Sequence, residues 1–159
     1  MIQDTIEEAF SQEWIERNIN DPKQELVTIR QIIPWEKMVK RLSQFYNKTK
    51  GPMGKSLRTM VALLIVARFE QLSDRKVIKQ VKENRYIQYF CNVADKHKQT
   101  FLHPSSLRVF RKRLGEKGAK IIEEEVFNRL RRVGIIRADN ALIDSTVLES
   151  NIIYPNDVQ

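Results

Sequence analysis

Four cations crowd into six positions of one short amphipathic stretch: Arg108, Arg111, Lys112 and Arg113. Arg and Lys at that density neutralise phosphates and release counterions, which is the sequence-independent part of nucleic-acid binding. Arg108 or Arg111 can in addition read a base edge, although half or more of protein–DNA hydrogen bonds go to phosphate and sugar. Further cations stand upstream: Lys50, Lys55 and Arg58 around a Gly/Pro loop, and Arg75, Lys76 and Lys79 just after Ser73. These ten residues are the candidate DNA contacts. The competing reading is a solvated surface helix whose cations pair with Glu116 and Glu123 to Glu125.

A second chemistry centres on Asp144, within Leu142-Ile143-Asp144-Ser145-Thr146-Val147. A carboxylate inside an apolar strand is costly unless it is exposed, hydrogen-bonded or bound to a metal. The Mg²⁺ ions that drive phosphoryl chemistry are held by a few such carboxylates. From these residues alone, an edge-strand Asp facing water is the simpler reading. Other chemistries find too few residues. Cys91, His97 and His103 cannot complete a four-ligand zinc site. Gly51 to Ser56 lacks the spacing of a Walker phosphate loop. The single Cys excludes an internal disulfide, and Cys91 reads as a small buried hydrophobe.

The charge is uneven. The chain has 159 residues and net charge +8. Residues 1–34 carry −4, residues 35–133 carry +15 and residues 134–159 carry −3. A basic centre between acidic ends points to a polyanion partner, with nucleic acid foremost. The 42% hydrophobic content supports a packed core. The longest apolar run, Met60 to Ala67, is far short of the roughly 20 residues that span a bilayer. The acidic start of the chain lacks signal-peptide character. A cytoplasmic protein without a membrane partner is expected.

Helices must position these groups. Ile6, Phe10 and Trp14 make one helical stripe that Asn20-Asp21-Pro22 ends. Residues 26–33 form a short apolar stretch, and Pro34 starts a helix bearing Val39, Leu42 and Tyr46. Ser56 caps a central buried helix over 57–72, and Ser73 caps the next, over 73–90. Ser105 or Ser106 caps the cationic helix 105–114, whose buried stripe is Leu107, Phe110 and Leu114. After Gly115 and Gly118 a longer helix runs to about Val133, with Gly134 as its stop. Residues 141–148 read as a strand. Its partner is residues 26–33, a second copy of the chain, or missing sequence.

Several stretches then match in order: Ile33-Pro34-Trp35-Glu36, Met60-Val61-Ala62-Leu63-Leu64, Leu72-Ser73-Asp74, Glu83-Asn84-Arg85-Tyr86-Ile87-Gln88-Tyr89-Phe90-Cys91, Pro104-Ser105-Ser106-Leu107 with Phe110-Arg111-Lys112-Arg113-Leu114, and Ile143-Asp144-Ser145-Thr146-Val147 with Tyr154-Pro155-Asn156-Asp157. Over residues 26–159 the chain resembles the N-terminal part of insertion-sequence DDE transposases, the bacterial branch related to insertion sequence five. The resemblance implies a mainly α fold. With the charge pattern, the chain divides into an acidic segment (1–34) and a basic multi-helix domain (35–134), which the resemblance makes DNA-binding, followed by the start of a ribonuclease-H-like catalytic domain (135–159). The resemblance implies binding to double-stranded DNA at terminal inverted repeats, with a homodimer left open. It also makes Asp144 the first carboxylate of a triad that holds Mg²⁺ for strand cleavage and transfer. The second Asp and the Glu of that triad are expected downstream of Gln159, so this chain is expected to be truncated, DNA-binding and inactive alone. The alternative is a stand-alone DNA-binding regulator or inhibitor of a full-length transposase.

Overall fold

The computed structural model describes residues 10–46, 55–94 and 103–136. Every run of regular structure among them is helical: α1 (Gln12–Asn18), α2 (Glu25–Ile32), α3 (Trp35–Leu42), α4 (Leu57–Phe69), α5 (Asp74–Glu83), α6 (Arg85–Cys91), α7 (Pro104–Ile122) and α8 (Asn128–Arg132). A 3₁₀ turn (Ser43–Phe45) follows α3, and a π-helical turn (Glu123–Phe127) joins α7 to α8. The mainly α expectation therefore holds. No helix among the described residues is long and apolar enough to cross a membrane. The strand expected at 141–148, and Asp144 with it, lies outside the described residues.

The organising element is α4. Its sequence, LRTMVALLIVARF, is apolar on almost every side, and ten of its thirteen residues are buried. Ser56 caps it as expected, its hydroxyl accepting from the Thr59 amide at 3.1 Å. At the other end Gln71 adopts φ 57. The Leu72 amide then donates to the Ala67 carbonyl at 2.7 Å and the Gln71 amide to the Arg68 carbonyl at 3.2 Å. That is a Schellman stop, here with Gln in the left-handed position that Gly usually fills. One core joins α4 to Leu26 and Ile29 of α2, Met38 and Leu42 of α3, Val77 and Val81 of α5, Phe90 of α6, Leu107 and Phe110 of α7, and Leu130 of α8. A satellite cluster of Phe10, Ile19, Val27 and Tyr89 seats α1 on the outside.

Four local expectations change. Residues 26–33 are helical, not a strand partner. Gln24 caps α2 by accepting from the Leu26 amide at 2.7 Å, and Leu26, Ile29 and Ile33 recur at helical spacing toward the core. The helix expected over 73–90 is two helices. Asn84, at φ −106 and ψ 117, ends α5 and caps α6, its side chain accepting from the Tyr86 and Ile87 amides. The cap of α7 is His103, not a serine: its Nδ1 accepts from the Ser105 amide at 3.1 Å, and Pro104 takes the first helical position. In the first helix Phe10 precedes the Ser11 cap, yet still packs against Trp14, the rings tilted by 31° with centroids 4.2 Å apart.

Within α7, Gly115 has φ 63 and ψ −160 and splits the helix into two arms. Helical structure resumes directly after it, so Gly118 lies inside the second arm, and there a Cβ would run into Leu114. Gly134 stops α8 as expected, at φ 83. The Ile135 amide donates to the Leu130 carbonyl at 3.0 Å in a second Schellman pattern.

Candidate nucleic-acid interface

The first arm of α7, residues 104–114, is clearly two-sided. Leu107, Phe110, Arg111 and Leu114 are buried. Ser105, Arg108, Val109 and Lys112 are exposed. At about 100° per residue the two sets lie on opposite sides of the helix. On α5, Val77, Ile78 and Val81 are buried, while Arg75, Lys76, Lys79 and Lys82 are exposed. The two helices begin side by side. Ser73, Asp74 and Arg75 face His103, Pro104, Ser105 and Arg108 across an open groove of about 510 Å³. Ser73 caps α5 by accepting from the Lys76 amide at 3.1 Å. Two helix N-termini, each with partial positive charge, therefore open on the same groove beside two guanidinium groups, although in α7 Pro104 has no amide hydrogen and the Ser105 and Ser106 amides are held by His103.

A buried clamp fixes this arrangement. Arg111, 4% exposed, donates from Nη1 and Nη2 to the two carboxylate oxygens of Asp74 at 2.8 and 2.5 Å. The bidentate fork locks the start of α5 to the middle of the first arm of α7. It also removes Arg111 from the surface, and with it the expectation that Arg111 touches DNA. The packing stripe that buries Leu107, Phe110 and Leu114 includes position 111, and a buried cation needs hydrogen-bond or charge partners, here the Asp74 carboxylate.

Arg58 is the second correction. It is 2% exposed, donates to the Phe90 carbonyl at 2.6 Å, and its guanidinium sits 3.6 Å from the centroid of the Trp35 ring. It ties α4 to α6 and α3 and has no access to a ligand. Arg113 is exposed but engaged, its Nε donating to the Phe45 carbonyl at 2.9 Å and its guanidinium 4.5 Å from the Tyr46 ring centroid. Lys55 is half-buried just before the Ser56 cap. Lys50 lies outside the described residues. Arg75 and Arg108 line the groove; Lys76, Lys79 and Lys112 are exposed on the same two helices.

The acidic triplet does not neutralise that face. Glu123 binds Arg68 of α4 at 2.8 Å and Arg131 of α8 at 2.5 Å. Glu124 binds Arg41 of α3 at 3.0 Å. Glu125, 4% exposed, binds Arg41 at 2.8 Å. Those two glutamates hold the Arg41 guanidinium above its ordinary pKa, Glu125 first. The positive excess thus separates into a paired set bracing α3, α4 and α8, and an exposed set on α5 and the first arm of α7. Arg75, Lys76, Lys79, Arg108 and Lys112 make no ion pair among the described residues.

Val109 was not among the candidate residues, and its signal was legible: it is the apolar position on the polar side of the helical repeat. His103 and Ser105 join the groove only through the cap geometry, which the sequence leaves ambiguous between neighbouring residues. Cys91 is fully buried, and burial pushes its thiol up to about 12, so it is a packing residue. Among the described residues no group of three or more His, Cys, Asp or Glu side chains is placed to hold a metal.

Comparison with known proteins identifies a family. The family model described as "Transposase domain (DUF772)" matches residues 13–113, a span that runs from α1 through the first arm of α7. The chain is 28% identical over 142 residues to the uncharacterized protein ORF8 in the nfe locus of Rhizobium meliloti, covering 87% of this chain and 68% of that one. No solved structure shows significant similarity. With more than half of its length matched, the chain belongs to the transposase domain family DUF772.

Proposed function

We propose that residues 35–134 form the DNA-binding domain of a transposase of the DDE type related to insertion sequence five. It engages double-stranded DNA at the terminal inverted repeats of its element. The observation that carries this reading is the exposed cationic face of α5 and α7, set around a groove onto which two helix N-termini open, in a chain of the transposase domain family. Arg75, Lys76, Lys79, Arg108 and Lys112 supply phosphate contacts.

In the same proposal Asp144 is a ligand for catalytic Mg²⁺ in the full-length protein. One carboxylate does not hold a pair of Mg²⁺ ions, and the described residues supply no further cluster. No cleavage step is therefore assigned to these residues.

The test is binding of the purified chain to a random-sequence duplex of about 20 base pairs between about 50 and 200 mM salt. Affinity should fall steeply and linearly on logarithmic axes. Lys76→Ala and Lys79→Ala should each weaken binding and reduce that slope by about one. A chain that ignores duplex DNA at low salt overturns the reading.

A further inference from the structure

Resting on the DNA-binding reading above, we infer that the first arm of α7 is a major-groove reading helix. Arg108 and Lys112 meet acceptor edges of bases, and Val109 meets a thymine methyl between them.

The outward stripe Ser105, Arg108, Val109 and Lys112 is spaced one helical turn apart along the face opposite the buried one. The arm is eleven residues long before Gly115 turns the chain, about 16 Å at about 1.5 Å per residue, and an α-helix of that kind fits the B-form major groove. Val109 is the telling residue. It is 58% exposed, and the only other exposed large hydrophobic among the described residues is Val133. A valine set between cations contributes nothing to phosphate binding and costs hydration of apolar surface. It does match the one apolar feature of the major groove, the C5-methyl of thymine. Arg108 matches guanine O6 and N7. The charge of the stripe selects a polyanion over an apolar partner surface.

The rest of the groove supplies orientation. Arg75 and the N-terminus of α5 flank Arg108 and are placed for the adjacent phosphates, since helix N-termini bind such anions. The Arg111–Asp74 fork holds α5 and α7 as one unit, so phosphate contacts on α5 set the depth and register of α7. That division between positioning and reading is what DNA-binding helices require.

The experiment selects duplexes from a randomised pool with the full 159-residue chain. The chain is then rebound to the selected duplexes synthesised with deoxyuridine in place of thymidine. Loss of the methyl should weaken the wild type about fourfold, the worth of one buried methyl-sized group, and weaken Val109→Ala clearly less, since the shorter alanine keeps only part of that contact. Arg108→Ala should lose about tenfold on the selected duplex and relax preference at one position. Lys76→Ala should weaken all duplexes equally and flatten the salt slope. Salt-sensitive binding that is indifferent to the methyl, or a Val109→Ala variant that selects the same sequences, overturns the reading helix and leaves DNA binding standing. No binding to any duplex overturns both. A Val109→Ala variant whose sedimentation changes while its DNA selection does not would make this face a protein interface, which also overturns the inference.

Discussion

Arg58 and Arg111 carry the same charge as Arg75 and Arg108, but their positions give them opposite roles. Arg58 and Arg111 are buried against a carbonyl with an aromatic ring and against a carboxylate, respectively. Arg75 and Arg108 stand exposed at the groove. Removing a buried partner leaves the other charge stranded, which is strongly destabilising. Arg111→Ala is expected to cost about 3 kcal/mol, and Arg108→Ala to stay within about 0.5 kcal/mol, as exposed substitutions do. Urea melts of the two variants check the contrast. Equal midpoints would mean that the Asp74 fork is not a structural clamp. Residue type alone marks no arginine in the run of residues 108 to 113 as different. The helical repeat does: position 111 falls on the face of Leu107, Phe110 and Leu114, and the structure adds the Asp74 partner that makes its burial tolerable.

At the scale of elements, caps and stops did most of the local work. Ser56, Ser73 and Gly134 act where their residue types place them, because a hydroxyl before a helix and a glycine after one satisfy amides and carbonyls the helix leaves over. Asn84 was missed because the apolar stripe runs on through it, from Val81 to Phe90; the side-chain cap overrode the periodicity. His103 was missed because a neutral imidazole nitrogen is an uncommon acceptor at that position, and serines stood next to it. Gly115 is the element-scale prediction. Its φ of 63 with ψ of −160 is a conformation that side-chain-bearing residues avoid, while a Cβ there would meet nothing within 4 Å. Gly115→Ala should therefore lose about 1–3 kcal/mol through backbone strain alone. Gly118→Ala should lose stability for a different reason, crowding against Leu114. In denaturant melts, an enlarging change at Leu114 should worsen Gly118→Ala and leave the cost of Gly115→Ala unchanged. Coupling of both to Leu114 would sink this division.

At the scale of the whole molecule, the charge of residues 35–133 divides by partner. Glu123, Glu124 and Glu125 hold Arg41, Arg68 and Arg131 together on one side. Of the cations of α5 and the first arm of α7, Arg111 pairs with Asp74, while Arg75, Lys76, Lys79, Arg108 and Lys112 make no ion pair among the described residues. Stability and polyanion binding should then be separable. Glu125→Ala is expected to lower stability by about 1–3 kcal/mol, between an exposed and a fully buried pair, because Arg41 is partly exposed. It should leave the salt slope of DNA binding unchanged. Lys79→Ala should do the reverse. Thermal melts with parallel salt titrations of binding test the pair. A steepened slope in Glu125→Ala would show that the two charge sets share one surface.

The sequence by itself determined the helical class, the central place of the apolar stretch that forms α4, the caps at Ser56 and Ser73, and the region where positive charge concentrates. Each of these rests on local physics: hydrophobic period, capping chemistry and charge count act within a few residues. The tertiary structure decided which cations are exposed, that residues 26–33 are a core helix, and that Ser73 and Arg108 share a groove across their separation in the chain. Those outcomes depend on which helix faces are covered by others. Burial turns one arginine into a clamp and leaves its neighbour facing solvent.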